Sequence, residues 1–83
     1  MKILYFAWLR QKIGAGEEDV SPPPSVNSVA ALVAWLKAKS PAHAAAFANT
    51  QAVRVAINQE FADWSAPIAP GDEIAFFPPV TGG

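Results

Sequence analysis

The sequence has no cysteine and only one histidine, His43, so disulfides, zinc clusters, thiol nucleophiles and histidine-based catalytic triads are excluded as the basis of its function. Charge is scarce as well: six Lys and Arg against seven Asp and Glu leave a formal net charge of -1 and no basic footprint for a phosphate backbone. Nucleic acid is therefore not an expected partner. No apolar stretch approaches the roughly 20 residues needed to cross a bilayer, so no membrane partner is expected either. Lys2 before the run Ile3 to Leu9 imitates a secretory signal, but Arg10, Gln11 and Lys12 follow where a small-residue cleavage site belongs. The run reads as a strand, and a chain without disulfides is expected in the cytoplasm. What remains is a chain of 83 residues with 52% apolar content, enough for one small globular core and too little for two.

Ile3 to Leu9 is dense in aromatic and branched residues and is expected to be a strand apolar on both faces. Gly14, Ala15 and Gly16 break it, and Glu17 to Val20 suits a short second strand before Pro22, Pro23 and Pro24 stop pairing. Ser28 is a candidate N-cap for a helix with Val29, Leu32, Val33 and Leu36 at i, i+3, i+4 and i+7, ending near Lys39 and Ser40. The alanine-rich run Ala42 to Ala48 suits a short second helix. The period then becomes two: Val53, Val55 and Ile57 alternate with Arg54 and Ala56, and Asn58-Gln59 offers a hairpin turn into Glu60 and Phe61. Pro70-Gly71-Asp72 launches a last strand, Glu73 to Phe77, which Pro78 and Pro79 end. This order predicts an α+β chain. Its form is the β-grasp, a mixed sheet of about five strands with one main helix and a short second helix on one face, and with the first and last strands as parallel central neighbours. The expected division is a single domain over residues 1–79 and a flexible tail over 80–83.

Strand parity makes a sharper prediction. Lys2 and Arg10 assign positions 2, 4, 6, 8 and 10 to the outward face, which places Phe6 and Trp8 there. Arg54 sends Ala56 outward, the two-residue turn pairs Ala56 with Phe61, and Glu73 sends Ala75 and Phe77 the same way. Phe6, Phe61 and Phe77 thus share the face that the helix leaves open. Contiguous exposed aromatics mark a partner interface, with Arg54 on its rim.

The chain closes on Gly82-Gly83, a pair expected by chance in roughly one chain in 200. It follows a strand and two stiffening prolines, so an unbranched tip projects from the domain. Residues without Cβ let a chain end thread a narrow channel and present its carboxylate to a partner's reactive groups. A carboxylate reacts only after activation, for example as an adenylate, and no nucleotide-binding loop is present. The activating enzyme must be another protein.

The opening Ile3-Leu4-Tyr5-Phe6-Ala7, the hairpin Ala56-Ile57-Asn58-Gln59 and above all the closing run from Gly71 through Phe76-Phe77-Pro78-Pro79-Val80-Thr81-Gly82-Gly83 resemble the small, sulfur-carrying subunit family of molybdopterin synthase, a ubiquitin-like β-grasp family. The resemblance spans the full length. It implies that Gly83 is adenylated by an ATP-dependent, ubiquitin-activating-like (E1-like) enzyme and converted to a C-terminal thiocarboxylate, the chain binding no cofactor itself. It further implies that Val80, Thr81 and Gly82 thread the large synthase subunit, where sulfur passes to cyclic pyranopterin monophosphate, and that Phe6, Phe61 and Phe77 dock on partners. Two alternatives remain: a carrier for thiamine, cysteine or tRNA thiolation or a ubiquitin-like modifier, and a plain β-grasp interaction module with an inert tail. His43 is expected to be a surface or partly buried residue without a metal or catalytic role, and Trp35 and Trp64 to be packing residues. Glu17, Glu18 and Asp19 read as a solvated acidic loop, and Lys37 and Lys39 as solvated helix-end charges or partner contacts.

Overall fold

Nine short elements follow one another along the chain in this computed structural model, which describes residues 1–79; the expectations for Val80, Thr81, Gly82 and Gly83 lie outside the described residues. They are β1 (Lys2–Tyr5), α1 (Trp8–Ile13), β2 (Glu17–Asp19), α2 (Val29–Lys37), α3 (Pro41–Ala46), a 3-10 turn (Thr50–Ala52), β3 (Arg54–Ile57), β4 (Glu60–Ala62) and β5 (Glu73–Phe77). The strands form one mixed sheet in the order β2-β1-β5-β3-β4. β1 and β5 pair in parallel, with Ile3 opposite Ile74 and Tyr5 opposite Phe76. The other three pairings are antiparallel. The expected β-grasp follows, its parallel pair inside the sheet.

α2 forms where the periodicity places it. The Ser28 hydroxyl accepts the Ala31 N–H at 3.2 Å and caps the first turn, and Val29, Leu32, Val33 and Leu36 are all buried. Each such side chain contributes about 1.5–3 kcal/mol of transfer free energy before ordering entropy opposes it. α3 begins at Pro41, whose missing N–H costs nothing in the first turn, with the Ser40 hydroxyl accepting the His43 N–H at 3.1 Å. The core between helices and sheet is aromatic at its centre. Phe76, fully buried, is stacked by Tyr5 at 6.3 Å and by Trp64 at 6.4 Å and met edge-on by Phe47 at 4.9 Å.

The N-terminal segment departs from expectation. Ile3 to Leu9 is not one strand: β1 stops at Tyr5 and the chain turns through Ala7 into a third helix, α1. Helical spacing explains it, because Leu9 and Ile13 lie four residues apart and face the core, Leu9 fully buried and Ile13 partly so. Gly14 ends α1 in the left-handed conformation at φ 88°, its N–H bonded to the Arg10 carbonyl at 2.8 Å. Outward parity therefore holds for Phe6 but not for Trp8, which packs partly buried against the core, nor for Arg10, which lies on the helix. The acidic segment is also corrected. Glu17–Asp19 forms the short second strand expected there and not a solvated loop, and only two of its carboxylates are solvated; Glu18, opposite Ile3, faces inward.

Candidate functional site

The sheet has two unlike faces. Directly opposed residues share a face, so the registers can be followed from strand to strand. One row on the open face runs Leu4, Ala75, Ala56, Phe61, and the next runs from Phe77 to Arg54. Phe6 lies just beyond the end of β1, where its N–H continues the ladder to the Phe76 carbonyl at 3.1 Å, beside Phe77. All three phenylalanines thus fall on the predicted side.

Their surroundings differ. Phe61 is 85% exposed and Phe6 48%, the two exposed large apolar residues among those described. Phe77 is half-buried against Phe61, the ring centroids being 5.8 Å apart and tilted by 47°. Ala75 and Ala56 form the floor between them, and small side chains there leave the flanking rings standing proud. A shallow cleft of about 220 Å³ is lined by Arg54, Val55, Phe61, Ala62 and Phe77. Arg54 is held at its edge by donating to the carbonyls of Gln51 at 3.0 Å and Val53 at 3.2 Å. Among the described residues no carboxylate pairs with it. The face thus combines an apolar centre with a cationic rim, the anatomy of a protein-docking surface. Its exposed rings and the guanidinium at its edge suit the binding of a complementary surface.

The covered face contains a polar network that sequence reasoning missed. Glu18 accepts the Tyr5 hydroxyl at 2.8 Å and the His43 Nε2–H at 2.6 Å on Oε1, and the Lys39 ammonium at 3.1 Å on Oε2. The Ser40 hydroxyl meets His43 Nδ1 at 2.6 Å. His43, expected at the surface or partly buried, is buried here, and Lys39 is an ion-pair partner. Burial opposes the charge on Glu18, but hydrogen bonds from His43, Tyr5 and Lys39 outweigh it and hold the carboxyl at about 2, below its ordinary 4.5. Burial and the bond to Glu18 push the Tyr5 phenol far above its usual range. Ser40, His43 and Glu18 are bonded in the order of a hydrolytic triad, which a single histidine was expected to exclude. The Ser40 oxygen is occupied as the α3 cap and Glu18 also serves Tyr5 and Lys39, so the network is a structural clamp joining β1, β2 and α3. Every buried polar side-chain atom among the described residues is satisfied, and they contain no cluster of three or more metal-ligating side chains. Trp35 and Trp64 pack against the core as expected.

A mixed sheet with a parallel central pair, helices over one face and exposed aromatics on the other defines a ubiquitin-like β-grasp protein. The chain belongs to the ThiS family, whose sequence pattern matches residues 3–83. It is 36% identical over 83 residues to the molybdopterin synthase sulfur carrier subunit of Escherichia coli, an alignment covering 100% of this chain and 99% of that one. Its fold matches a protein described as molybdopterin converting factor subunit 1 from Pyrococcus furiosus with a TM-score of 0.77 and 28% identity over 95% of both chains. Small archaeal modifier protein 1 of Haloferax volcanii matches with a TM-score of 0.72 and 28% identity over 96% of this chain and 97% of that one.

Proposed function

We propose that this protein is the sulfur-carrying small subunit of a molybdopterin synthase. In this reading residues 1–79 are the docking domain and residues 80–83 the tail that carries the chemistry. The Gly83 carboxylate attacks the α-phosphate of ATP on an E1-like adenylating enzyme, releasing pyrophosphate and leaving an acyl adenylate. A sulfur nucleophile then displaces AMP and the terminus becomes a thiocarboxylate. With Phe6, Phe61, Phe77 and Arg54 seated on the large subunit, Val80, Thr81 and Gly82 thread its active site; each thiocarboxylate gives its one sulfur to cyclic pyranopterin monophosphate and returns to a carboxylate, so two charged chains supply the two sulfurs of the molybdopterin dithiolene. Across these three steps the ATP, the substrate and the catalytic groups are held by partners in the cytoplasm.

The observation that carries this reading is the position of the aromatic face. Phe77 is at once its centre and the last residue of β5, so Pro78 and Pro79 follow directly from the proposed docking surface. The family and the full-length similarity to a sulfur carrier subunit support it. Incubation with an E1-like adenylating enzyme, ATP and a sulfur source is expected to replace one terminal oxygen by sulfur in the intact mass, and deletion of Gly83 to abolish that change without altering the fold. An unchanged mass for the full chain would refute the carrier role.

The likeness to an archaeal modifier protein favours one second reading, attachment of the same activated terminus to lysines of other proteins. Isopeptide-linked conjugates formed in preference to sulfur transfer would select it.

A further inference from the structure

Ala7 occupies a backbone position made for glycine. Its φ of 55° and ψ of −130° lie in a region that any Cβ makes costly, yet the residue is alanine. The segment around it is held from both sides. The Phe6 N–H donates to the Phe76 carbonyl at 3.1 Å, the Phe6 carbonyl accepts the Leu9 N–H at 3.2 Å, and the Ala7 carbonyl accepts the Gln11 N–H at 3.3 Å. Tyr5 before it and Leu9 after it are buried. The whole change of direction, from a central strand into α1, therefore falls on one residue with the conformation that starts a type II′ turn. The residue immediately before that turn is Phe6, exposed on the open face.

We propose that Ala7 is a positioning residue for docking, retained because its Cβ narrows the conformations open to the turn and so holds Phe6 on the open face before a partner arrives. The inference rests on the docking role given to Phe6 above. Glycine at this position would relieve the strain, and it would also let the β1–α1 junction sample other conformations, so that ordering Phe6 falls to the moment of binding. Stability and affinity must then move in opposite directions, which a merely structural residue would not produce.

The test is Ala7→Gly, with three readings. Melting temperature is expected to rise by a few degrees. Affinity for a purified molybdopterin synthase large subunit is expected to fall roughly 2- to 10-fold, the effect of ordering one side chain on association. The amide order parameter of Phe6 from nitrogen-15 relaxation is expected to drop in the free protein. Phe6→Asp serves as control: if it loses binding while Ala7→Gly binds like the unsubstituted chain, the docking role stands and the positioning role is overturned. If Phe6→Asp binds normally, the docking role itself fails and takes the inference with it. An unchanged Phe6 order parameter, or a lowered melting temperature, overturns the positioning role whether or not the large subunit binds.

Discussion

Phe76 and Phe77 are consecutive, carry the same ring and stand in opposite surroundings. Phe76 has no exposed surface and is packed among Tyr5, Phe47 and Trp64, whereas Phe77 meets Phe61 on a face with no helix over it. β2 repeats the contrast in charges: Glu18 points inward to three donors, while Glu17, across the pleat, makes a loose 3.7 Å ion pair with Lys2 in solvent. A pleat thus divides one small sheet into a face that holds the fold together and a face that the helices leave open. Residue type does not decide which is which; register does.

Breaking the contrast at the phenylalanines should produce the largest effects, and in different assays. Phe76→Ala removes the ring from a closed site and is expected to cost about 3–5 kcal/mol, enough to leave a chain of this size largely unfolded in a thermal or urea titration. Phe77→Asp should leave the melting temperature within a few degrees and weaken binding to the large subunit by roughly 30-fold or more, as for a central interface residue. A collapse of stability in Phe77→Asp would place that ring in the core and remove the centre of the proposed docking face.

The glutamates sharpen the same contrast in pH. The Glu18 carboxyl, held at about 2 in the folded protein against an ordinary 4.5, favours the folded state at pH above its unfolded value. That contribution is lost as pH falls from about 4.5 towards 2. Discounted for its partial exposure to solvent, it is about 1–2 kcal/mol. Urea unfolding at pH 5.5 and at pH 3 is expected to show Glu18→Gln less stable than the unsubstituted chain at the higher pH, with the gap narrowing at the lower. Glu17→Gln should track the unsubstituted chain at both. A constant gap for Glu18→Gln would mean that the carboxylate charge is not what the clamp uses.

Much of this division is legible in the sequence because it rests on period and turn chemistry. The i, i+3, i+4, i+7 spacing of Val29, Leu32, Val33 and Leu36 defines α2, and a two-residue turn at Asn58-Gln59 forces Phe61 opposite Ala56 and hence outward. α1 was hidden because Ile3 to Leu9 has the density of a buried strand, and the residue that separates strand from helix is an alanine where the backbone asks for glycine. No local preference marks such a position. Glu18 is hidden for another reason: a run of charge reads as a solvated segment. Three acidic residues in a row on a strand cannot all point outward, and the parity that exposes Glu17 and Asp19 turns Glu18 inward, where Tyr5, Lys39 and His43 supply its donors. The tail belongs to a third category, since its reading rests on the chemistry of a chain end and on the resemblance of its final run.

The smallest effect isolates strain from docking. Gln59 sits in the β3–β4 turn at φ 71°, following Asn58 at φ 50°, so both central residues have the positive φ of a type I′ hairpin turn. Asparagine tolerates this region and glutamine does so poorly, which makes Gln59 a second strained position beside Ala7. It lies two residues from Phe61, yet the register that orients Phe61 is fixed by Ala56 and Ile57 opposite Phe61 and Glu60 and by Asn58 bonds to Glu73. Gln59→Gly is therefore expected to stabilise the fold by about 0.5–1 kcal/mol, read as a rise in melting temperature, with affinity for the large subunit unchanged. Relief at Ala7 is expected to raise stability and lower affinity, whereas relief at Gln59 should raise stability alone. If Gln59→Gly weakened binding as much as Ala7→Gly, general loosening of the sheet would explain both, and no special role at the β1–α1 turn would be needed.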